Sequence, residues 1–243
     1  MAKHIQKTLS RNLSVSASVD KTVIRGETGR RTHVGDDFYL VKAWSEVPTL
    51  NDMRSHFAAA RFQDEIAKVS HRLGNDLVCV RGRPYDETID GWERMGPPAQ
   101  AGKEGRYNSA SQVVLYLCDS EEGVRREFSL KLGGKLFLQE YILPLGSLQL
   151  ADFSVPDPNE FTSAVFDRAE ISGEDSRIGR HDFEFSQLVA DLVREGGFQG
   201  MLVPGVHGDS EFRYLNVVVF DPPAASGWRV WSQKGKGFRN VVV

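Results

Sequence analysis

The chain has 243 residues, of which 40% are hydrophobic and 26% are charged, as in an ordinary globular protein. Its formal net charge of −3 argues against a surface dedicated to nucleic acid or to anionic lipid. No apolar run approaches the ~20 residues that span a bilayer, and no apolar segment follows the basic residues at the N-terminus, so we expect a cytoplasmic protein. The two cysteines, Cys79 and Cys118, lie in apolar stretches and are predicted to be buried free thiols.

The first third of the chain begins with a polar segment and continues with segments whose apolar residues are spaced as in helices and strands. The predictions, in chain order, are a loosely docked arm over residues 1–35, a strand over 38–41, a helix over 50–73 and a strand over 77–80. Pro48 and Thr49 supply the start of that helix, and Gly74 supplies its end.

A long loop rich in Gly and Pro, over residues 82–105, precedes the remaining elements. Loops of this length are usually functional or disordered. The elements predicted after it are a strand over 113–117, a helix from 121, strands over 135–143 and 147–153, helices over 159–169 and 182–195, and strands over 200–203, 215–220 and 228–231. The clearest pattern is that of 182–195, where apolar residues recur at i, i+3, i+4, i+7 and i+8 and Gly196 follows.

Strands and helices are mixed without regular βαβ alternation. This order favours an α+β fold, a compact mixed sheet with flanking helices, over a doubly wound α/β fold. We divide the chain into an N-terminal arm and helical extension, residues 1–75, and a second domain, residues 76–243. The predicted helix of the extension carries several basic residues, and covering the core, pairing with a second copy as a homodimer, and docking a partner all remain open for it.

Several common catalytic motifs are absent from the sequence. There is no GxxxxGK[ST] loop, no GxGxxG fingerprint, no HExxH or HxxxH spacing and no GxSxG elbow. We therefore expect no metal site and no histidine-based triad, and any enzyme here should work with Arg, Glu, Tyr and Ser.

Three residues between 105 and 127 suit one chemistry. Arg106 ends the Gly-rich loop and offers a planar fork for phosphate oxygens, and Tyr116, in the buried strand, offers a flat ring and a hydroxyl. Glu127, near the end of the next helix, can stabilise an oxocarbenium-like sugar or hold ribose hydroxyls. Taken alone, the three also fit a solvated arginine, a core tyrosine and a solvated glutamate.

The same segment resembles the RES domain family, which is named for its Arg, Glu and Ser residues. The family pattern is a Gly-Arg-aromatic-Asn opening, a buried strand ending in Leu-Tyr and a short helix ending in Glu. The matching residues here are Gly105-Arg106-Tyr107-Asn108, Leu115-Tyr116 and Glu127, in the spacing of the family. Flanking segments that also agree are 76–83, 95–98, 200–204 and 215–222, so the resemblance covers about residues 76–222.

One position departs from the family pattern. The family serine follows the Pro of the first closing strand, but Gly205 follows Pro204 here. The role falls to Ser210, to the backbone or to His207.

The resemblance implies an ADP-ribosyltransferase-like fold and cleavage of the nicotinamide–ribose bond of NAD, by phosphorolysis or hydrolysis. Arg106 would clamp the pyrophosphate, Tyr116 would pack against the nicotinamide end and Glu127 would support the positively charged ribose. Arg81 is a weaker candidate for a second phosphate contact, and Ser210 is the candidate for the serine role. NAD is a substrate in this scheme, and no cofactor is expected.

The resemblance also implies biological context and leaves alternatives. Many members are toxins of bacterial toxin–antitoxin pairs, so the expected partners are NAD and a cognate antitoxin, with no nucleic acid bound directly and no membrane. One alternative is a protein ADP-ribosyltransferase that uses NAD as donor. The other is a non-catalytic binding module on a degenerate scaffold of this family.

Overall fold

A computed structural model describes residues 23–25, 31–33, 36–72, 77–84, 103–129, 135–143, 148–154, 160–171, 183–207, 212–222 and 239–242. The strands in these ranges are β1 Val23–Arg25, β2 Arg31–His33, β3 Ser70–Arg72, β4 Leu77–Pro84, β5 Val114–Cys118, β6 Lys135–Leu143, β7 Gln149–Asp152, β8 Gly200–Pro204, β9 Leu215–Phe220 and β10 Arg239–Val242. The helices are α1 Asp36–Ser45, α2 Leu50–Ser55, α3 Phe57–Ile66, α4 Glu121–Ser129, α5 Glu160–Ile171 and α6 Glu184–Glu195, and a 3₁₀ turn covers Ala67–Val69.

Eight of the strands form one mixed sheet in the order β10-β6-β4-β5-β9-β8-β7-β3. The pair β7–β8 is parallel, and the other neighbours are antiparallel. A parallel pair needs a long crossover, which α5 and α6 provide between β7 and β8. A mixed sheet with flanking helices confirms the predicted fold class.

Side chains of paired antiparallel residues point to the same face of a sheet. Tyr116 pairs with Val218 and Cys118 pairs with Asn216, so all four lie on one face, which we call the helix face. Helices α1, α2, α3, α5 and α6 pack on it in one apolar cluster with Val218. A second buried cluster, from strands β4 to β9, lies on the opposite face.

The strand predicted over 38–41 is wrong, because these residues belong to helix α1. Asp36 and Asp37 occupy its first turn, where carboxylates favour the positive end of the helix dipole. Val41 and Trp44, three residues apart, are both buried, as expected on one face of a helix. The prediction failed because the short apolar run over 38–41 is equally compatible with a strand.

The helix predicted over 50–73 is divided. Thr49 Oγ1 accepts a hydrogen bond from the Asp52 N–H at the start of α2, as predicted for a helix start. His56 has extended backbone angles, φ −68° and ψ 140°, and its Nδ1 accepts from the Ala58 N–H, which starts α3 as a separate helix. The end of the predicted helix is wrong as well, since Ser70–Arg72 form β3 at the sheet edge.

Most later elements are confirmed to within a few residues, and the span of β6 is confirmed in full. The apolar stripe of α6 is buried as predicted, and Gly197, with φ +85°, ends the helix in the left-handed region. Part of the predicted arm forms the β1–β2 hairpin. Strand β10 was not predicted, and the predicted strand 228–231 lies outside the described residues.

Candidate active site

The Gly-Arg-Tyr-Asn segment forms a tight turn that α6 holds in place. The Gly105 N–H donates to the Asn108 carbonyl at 3.0 Å, and the Asn108 N–H donates back at 3.3 Å. Gln187 Nε2 donates to the carbonyls of Gly105, at 2.9 Å, and Asn108, at 3.0 Å. Ser186 Oγ donates to the Arg106 carbonyl at 2.6 Å, so the first residues of a buried helix fix the backbone of Arg106.

Tyr116 closes the turn from the sheet. Its hydroxyl donates to Asn108 Oδ1 at 2.8 Å and accepts from the Tyr107 N–H at 3.1 Å. A Cβ on Gly105 would lie 2.6 Å from Asn108 Oδ1, so this arrangement requires glycine there. The ring of Tyr116 is 38% exposed, although its neighbours Leu115 and Leu117 are buried. The turn therefore encloses the hydroxyl and leaves the ring accessible from the helix face.

Burial of the hydroxyl raises the pKa of Tyr116 to about 12, although the nearby charges of Arg106 and Arg194 lower it in part. The phenol is therefore protonated at neutral pH and acts as a hydrogen-bond donor. Arg106 is half-buried, with its Cζ 6.0 Å from the centre of the Phe183 ring. The turn therefore carries the positive charge of Arg106, and the phenol of Tyr116 on β5 is hydrogen-bonded to the same turn.

The carboxylate of Glu127 is held through one of its two oxygens. Its Oε1 accepts from Tyr214 Oη at 2.7 Å and from Asn216 Nδ2 at 2.9 Å. Its Oε2 lies 3.9 Å from His207 Nε2, and the side chain is 24% exposed. One oxygen is thereby fixed by two donors, and the other faces the imidazole.

Tyr214 and Asn216 are each oriented by a further contact. The Tyr214 hydroxyl accepts from the His207 N–H at 3.2 Å, and its own proton goes to Glu127. Burial and the negative charge of Glu127 raise the pKa of Tyr214 far above its ordinary value, so it stays a donor. Cys118 Sγ donates to Asn216 Oδ1 at 3.0 Å, which directs the amide nitrogen of Asn216 towards the carboxylate.

The turn and the carboxylate lie on the same face of the sheet. Tyr116 and Cys118 are alternate residues of β5, so their Cα atoms are roughly 6–7 Å apart along the strand. Cys118 contacts Asn216, and Asn216 contacts Glu127. The Arg106 turn with Tyr116 and the Glu127 carboxylate therefore lie on the same face of the sheet, and Cys118 and Asn216 lie between them.

Arg81 is not brought together with the other candidates. Val80 pairs with Cys118 and shares the helix face, so Arg81 points to the opposite face, where it is 3% exposed. Burial and the neighbouring charge of Arg83 lower the pKa of the Arg81 guanidinium to about 9. A phosphate bound beside Tyr116 would thus lie on the other side of the sheet from Arg81.

The serine position can be placed only in part. Ser210 lies outside the described residues. At Gly205 a Cβ would lie 2.0 Å from Cε2 and 2.1 Å from Cζ of Tyr214, so the tyrosine ring fills the space of any side chain there. The backbone N–H of His207, another candidate for the role, contacts the Tyr214 hydroxyl.

Sequence reasoning missed Tyr214 and Asn216 as site residues. The signal for Asn216 was its place as a polar side chain in the apolar run of β9. Nothing in the local sequence marks Tyr214, because its contact with Glu127 depends on the pairing of β5 with β9.

Both cysteines are buried and free, as predicted. Within the described ranges, no cluster of three or more His, Cys, Asp or Glu side chains is arranged to hold a metal ion. In the same part of the chain, no helix is both long enough and apolar enough to cross a membrane.

The comparison with family models agrees with the motif. A family model described as RES domain matches residues 81–236. Among solved structures, the MbcT–MbcA toxin–antitoxin complex of M. tuberculosis is similar, with 17% sequence identity, coverage of 75% of this chain and 91% of that chain, and a TM-score of 0.46. No curated protein matches the chain.

Proposed function

The chain belongs to the RES domain family, and on this basis we propose that it cleaves the bond between nicotinamide and ribose in NAD. The observation that carries the proposal is the Glu127 carboxylate, which two donors hold through one oxygen on the same face of the sheet as Tyr116. A fixed carboxylate facing a site of developing positive charge is the group that this reaction needs.

In the reaction, the C–N bond breaks and its electron pair leaves with nicotinamide, which becomes neutral. The ribosyl carbon becomes positively charged, and a water molecule or a phosphate then bonds to it. Water loses a proton in this step and the product is ADP-ribose, whereas phosphate gives the sugar phosphate. No electron is gained or lost, so no redox cofactor is required.

Arg106, Tyr116 and Glu127 have different roles in this reaction. Arg106 binds the pyrophosphate through its guanidinium, which matches phosphate oxygens. Tyr116 packs its exposed ring against the nicotinamide end, and its hydroxyl keeps the turn closed. Glu127 stabilises the ribosyl cation and orients the acceptor through Oε2, the oxygen that Tyr214 and Asn216 leave unoccupied.

Family membership also motivates a biological role. We propose that the protein is the toxin of a toxin–antitoxin pair that depletes NAD in the cytoplasm, and that a cognate antitoxin binds it. Induction of the gene in a bacterial host should stop growth and lower cellular NAD. Co-expression of the antitoxin should restore both, and growth arrest at a constant NAD level would contradict this role.

The decisive experiment is incubation of the purified protein with NAD, with and without phosphate, followed by mass spectrometry. Nicotinamide with ADP-ribose identifies hydrolysis, and nicotinamide with ADP-ribose phosphate identifies phosphorolysis. A further reaction with labelled NAD in a cell lysate tests for protein ADP-ribosylation, since a transferase would move the label to protein. Unchanged NAD at millimolar concentration in all reactions would favour the non-catalytic binding module and contradict the proposal.

A further inference from the structure

The contact between Gly205 and Tyr214 explains how the site works without the family serine. A Cβ at position 205 would lie 2.1 Å from Cζ of Tyr214, the ring carbon that carries the hydroxyl. A seryl oxygen is one bond from its Cβ, and the phenol oxygen is one bond from Cζ. A serine at 205 would therefore place its hydroxyl in the same region as the phenol oxygen of Tyr214, at a position set by its χ1 rotamer.

That place is beside the Glu127 carboxylate. The Tyr214 hydroxyl donates to Glu127 Oε1 at 2.7 Å and accepts from the His207 N–H at 3.2 Å, so both its donor and acceptor functions are used. The ring is 2% exposed, which fixes the hydroxyl without a mobile side chain. A second hydroxyl from position 205 has no room while the ring is present.

We infer that Tyr214 is the positioning residue for Glu127 and replaces the serine hydroxyl, and that Gly205 is the glycine that makes room for it. The inference rests on the proposed function, since its role is to hold Oε1 so that Oε2 meets the ribose. Tyr214 contacts the carboxylate and, in this scheme, no atom of NAD. Its loss should therefore slow the chemical step and leave substrate binding unchanged.

The first test is Tyr214→Phe, which removes the hydroxyl and keeps the ring. Hydrogen bonds to charged groups carry enough energy that we expect kcat for NAD cleavage to fall roughly ten- to a hundredfold, with KM unchanged. Tyr39→Phe is the matched control, because Tyr39 is 50% exposed on α1, and it should cleave NAD like the wild type. A Tyr214→Phe protein with wild-type kcat overturns the inference.

The second test moves the hydroxyl back to position 205. Tyr214→Ala alone should lose activity, and Gly205→Ser combined with Tyr214→Ala should regain part of it, because the truncated ring leaves space for the introduced hydroxyl. Gly205→Ala combined with Tyr214→Ala fills the same space without a hydroxyl and should not regain activity. Equal recovery by both double variants would attribute the effect to packing and overturn the inference.

Two controls separate this inference from the proposed function. Wild-type protein that leaves NAD intact refutes the function, whereas active wild-type protein with an equally active Tyr214→Phe variant refutes only the inference. A crystal structure of the Gly205→Ser/Tyr214→Ala protein provides a readout besides activity. The introduced hydroxyl should lie within hydrogen-bond distance of Glu127 Oε1, and a rotamer pointing away from the carboxylate would refute the exchange.

Discussion

The charge of Glu127 depends on the hydrogen bonds that its carboxylate oxygens accept. It lies in the last turn of α4, where the partial negative charge of the helix end disfavours a carboxylate. Tyr214 and Asn216 offset this through two hydrogen bonds to Oε1. The helix therefore positions the carboxylate, and the neighbouring strand β9 and the residue before it stabilise its charge.

Replacement of that charge should affect chemistry far more than folding. We expect Glu127→Gln to lower kcat for NAD cleavage roughly a hundredfold or more, since a preorganised group that faces developing charge has been removed. Glu122→Gln is the matched control, because Glu122 is 50% exposed on the same helix, and it should be fully active. Near-normal turnover by folded Glu127→Gln protein would remove Glu127 from the mechanism.

Replacement of Arg106 should weaken NAD binding, whereas replacement of Arg81, on the opposite face of the sheet, should not. In a Glu127→Gln background, which suppresses turnover, Arg106→Ala should raise the Kd for NAD roughly ten- to a hundredfold in calorimetry. Arg81→Met, on the opposite face of the sheet, should bind NAD as before. Equal Kd values for NAD with and without Arg106→Ala in this background would contradict the proposed contact of Arg106 with the pyrophosphate.

Tyr116 should make the stability of the fold sensitive to alkali. Burial raises its pKa from 10.0 to about 12, so its contribution to stability is complete below pH 10. As pH rises from 10 to about 12, the unfolded chain loses the phenolic proton before the folded chain does, and the free energy of unfolding falls. Urea unfolding across this window should show a smaller fall for Tyr116→Phe, and parallel curves would rule out this linkage.

Among the elements, α6 has two functions along its length. Its first residues, Ser186 and Gln187, hold the turn around Arg106. Near its end, Asp191 and Glu195 pair with Arg54 of α2. One helix therefore links the proposed phosphate-binding turn to the N-terminal helices.

Removal of the Gln187 donors should loosen the turn. Gln187→Met retains a helix-forming side chain but leaves the carbonyls of Gly105 and Asn108 without this donor. We expect the free energy of unfolding to fall by about 1–3 kcal/mol and KM for NAD to rise. Gln63→Met on α3 removes a hydrogen bond to Glu195 between exposed side chains, away from the turn, and should change neither quantity measurably. Unchanged KM with lower stability would show that the turn tolerates the loss.

At the scale of the whole molecule, the N-terminal helices share the core of the site-bearing sheet. Trp44 and Phe62 are completely buried and belong to the same apolar cluster as Val218 of β9. The Trp44 indole also donates to the Met53 carbonyl at 2.7 Å and meets the Phe185 ring edge-on at 5.0 Å. Helices α1 to α3 therefore pack into the cluster that supports the helix face.

This shared core predicts one unfolding transition. Phe62→Ala should lower the free energy of unfolding by about 3–5 kcal/mol through loss of burial and creation of a cavity. The transition should remain single, with the proposed NAD-binding site lost at the same denaturant concentration as the helices. Two separate transitions would indicate an independently folding extension.

The sequence predicts local features of this molecule better than distant ones. The turn residues, β5 and α4 follow one another in the chain, so the resemblance of this one segment to the family pattern groups Arg106, Tyr116 and Glu127. The contact of Tyr214 with Glu127 depends on which strands pair, and a local pattern does not contain that information. The break at His56 was missed for another reason, since a side-chain cap replaces the usual Gly or Pro signal.

The proposed exchange of a serine at position 205 for the phenol of Tyr214 bears on how relatives are recognised in genomes. A search pattern that demands a hydroxyl amino acid directly after Pro204 would discard this chain as inactive. A pattern that accepts glycine there when a phenol occupies the position of Tyr214 would retain it. Family members with a serine at the position of Gly205, and members with a glycine there and a tyrosine at the position of Tyr214, would then be assigned the same reaction.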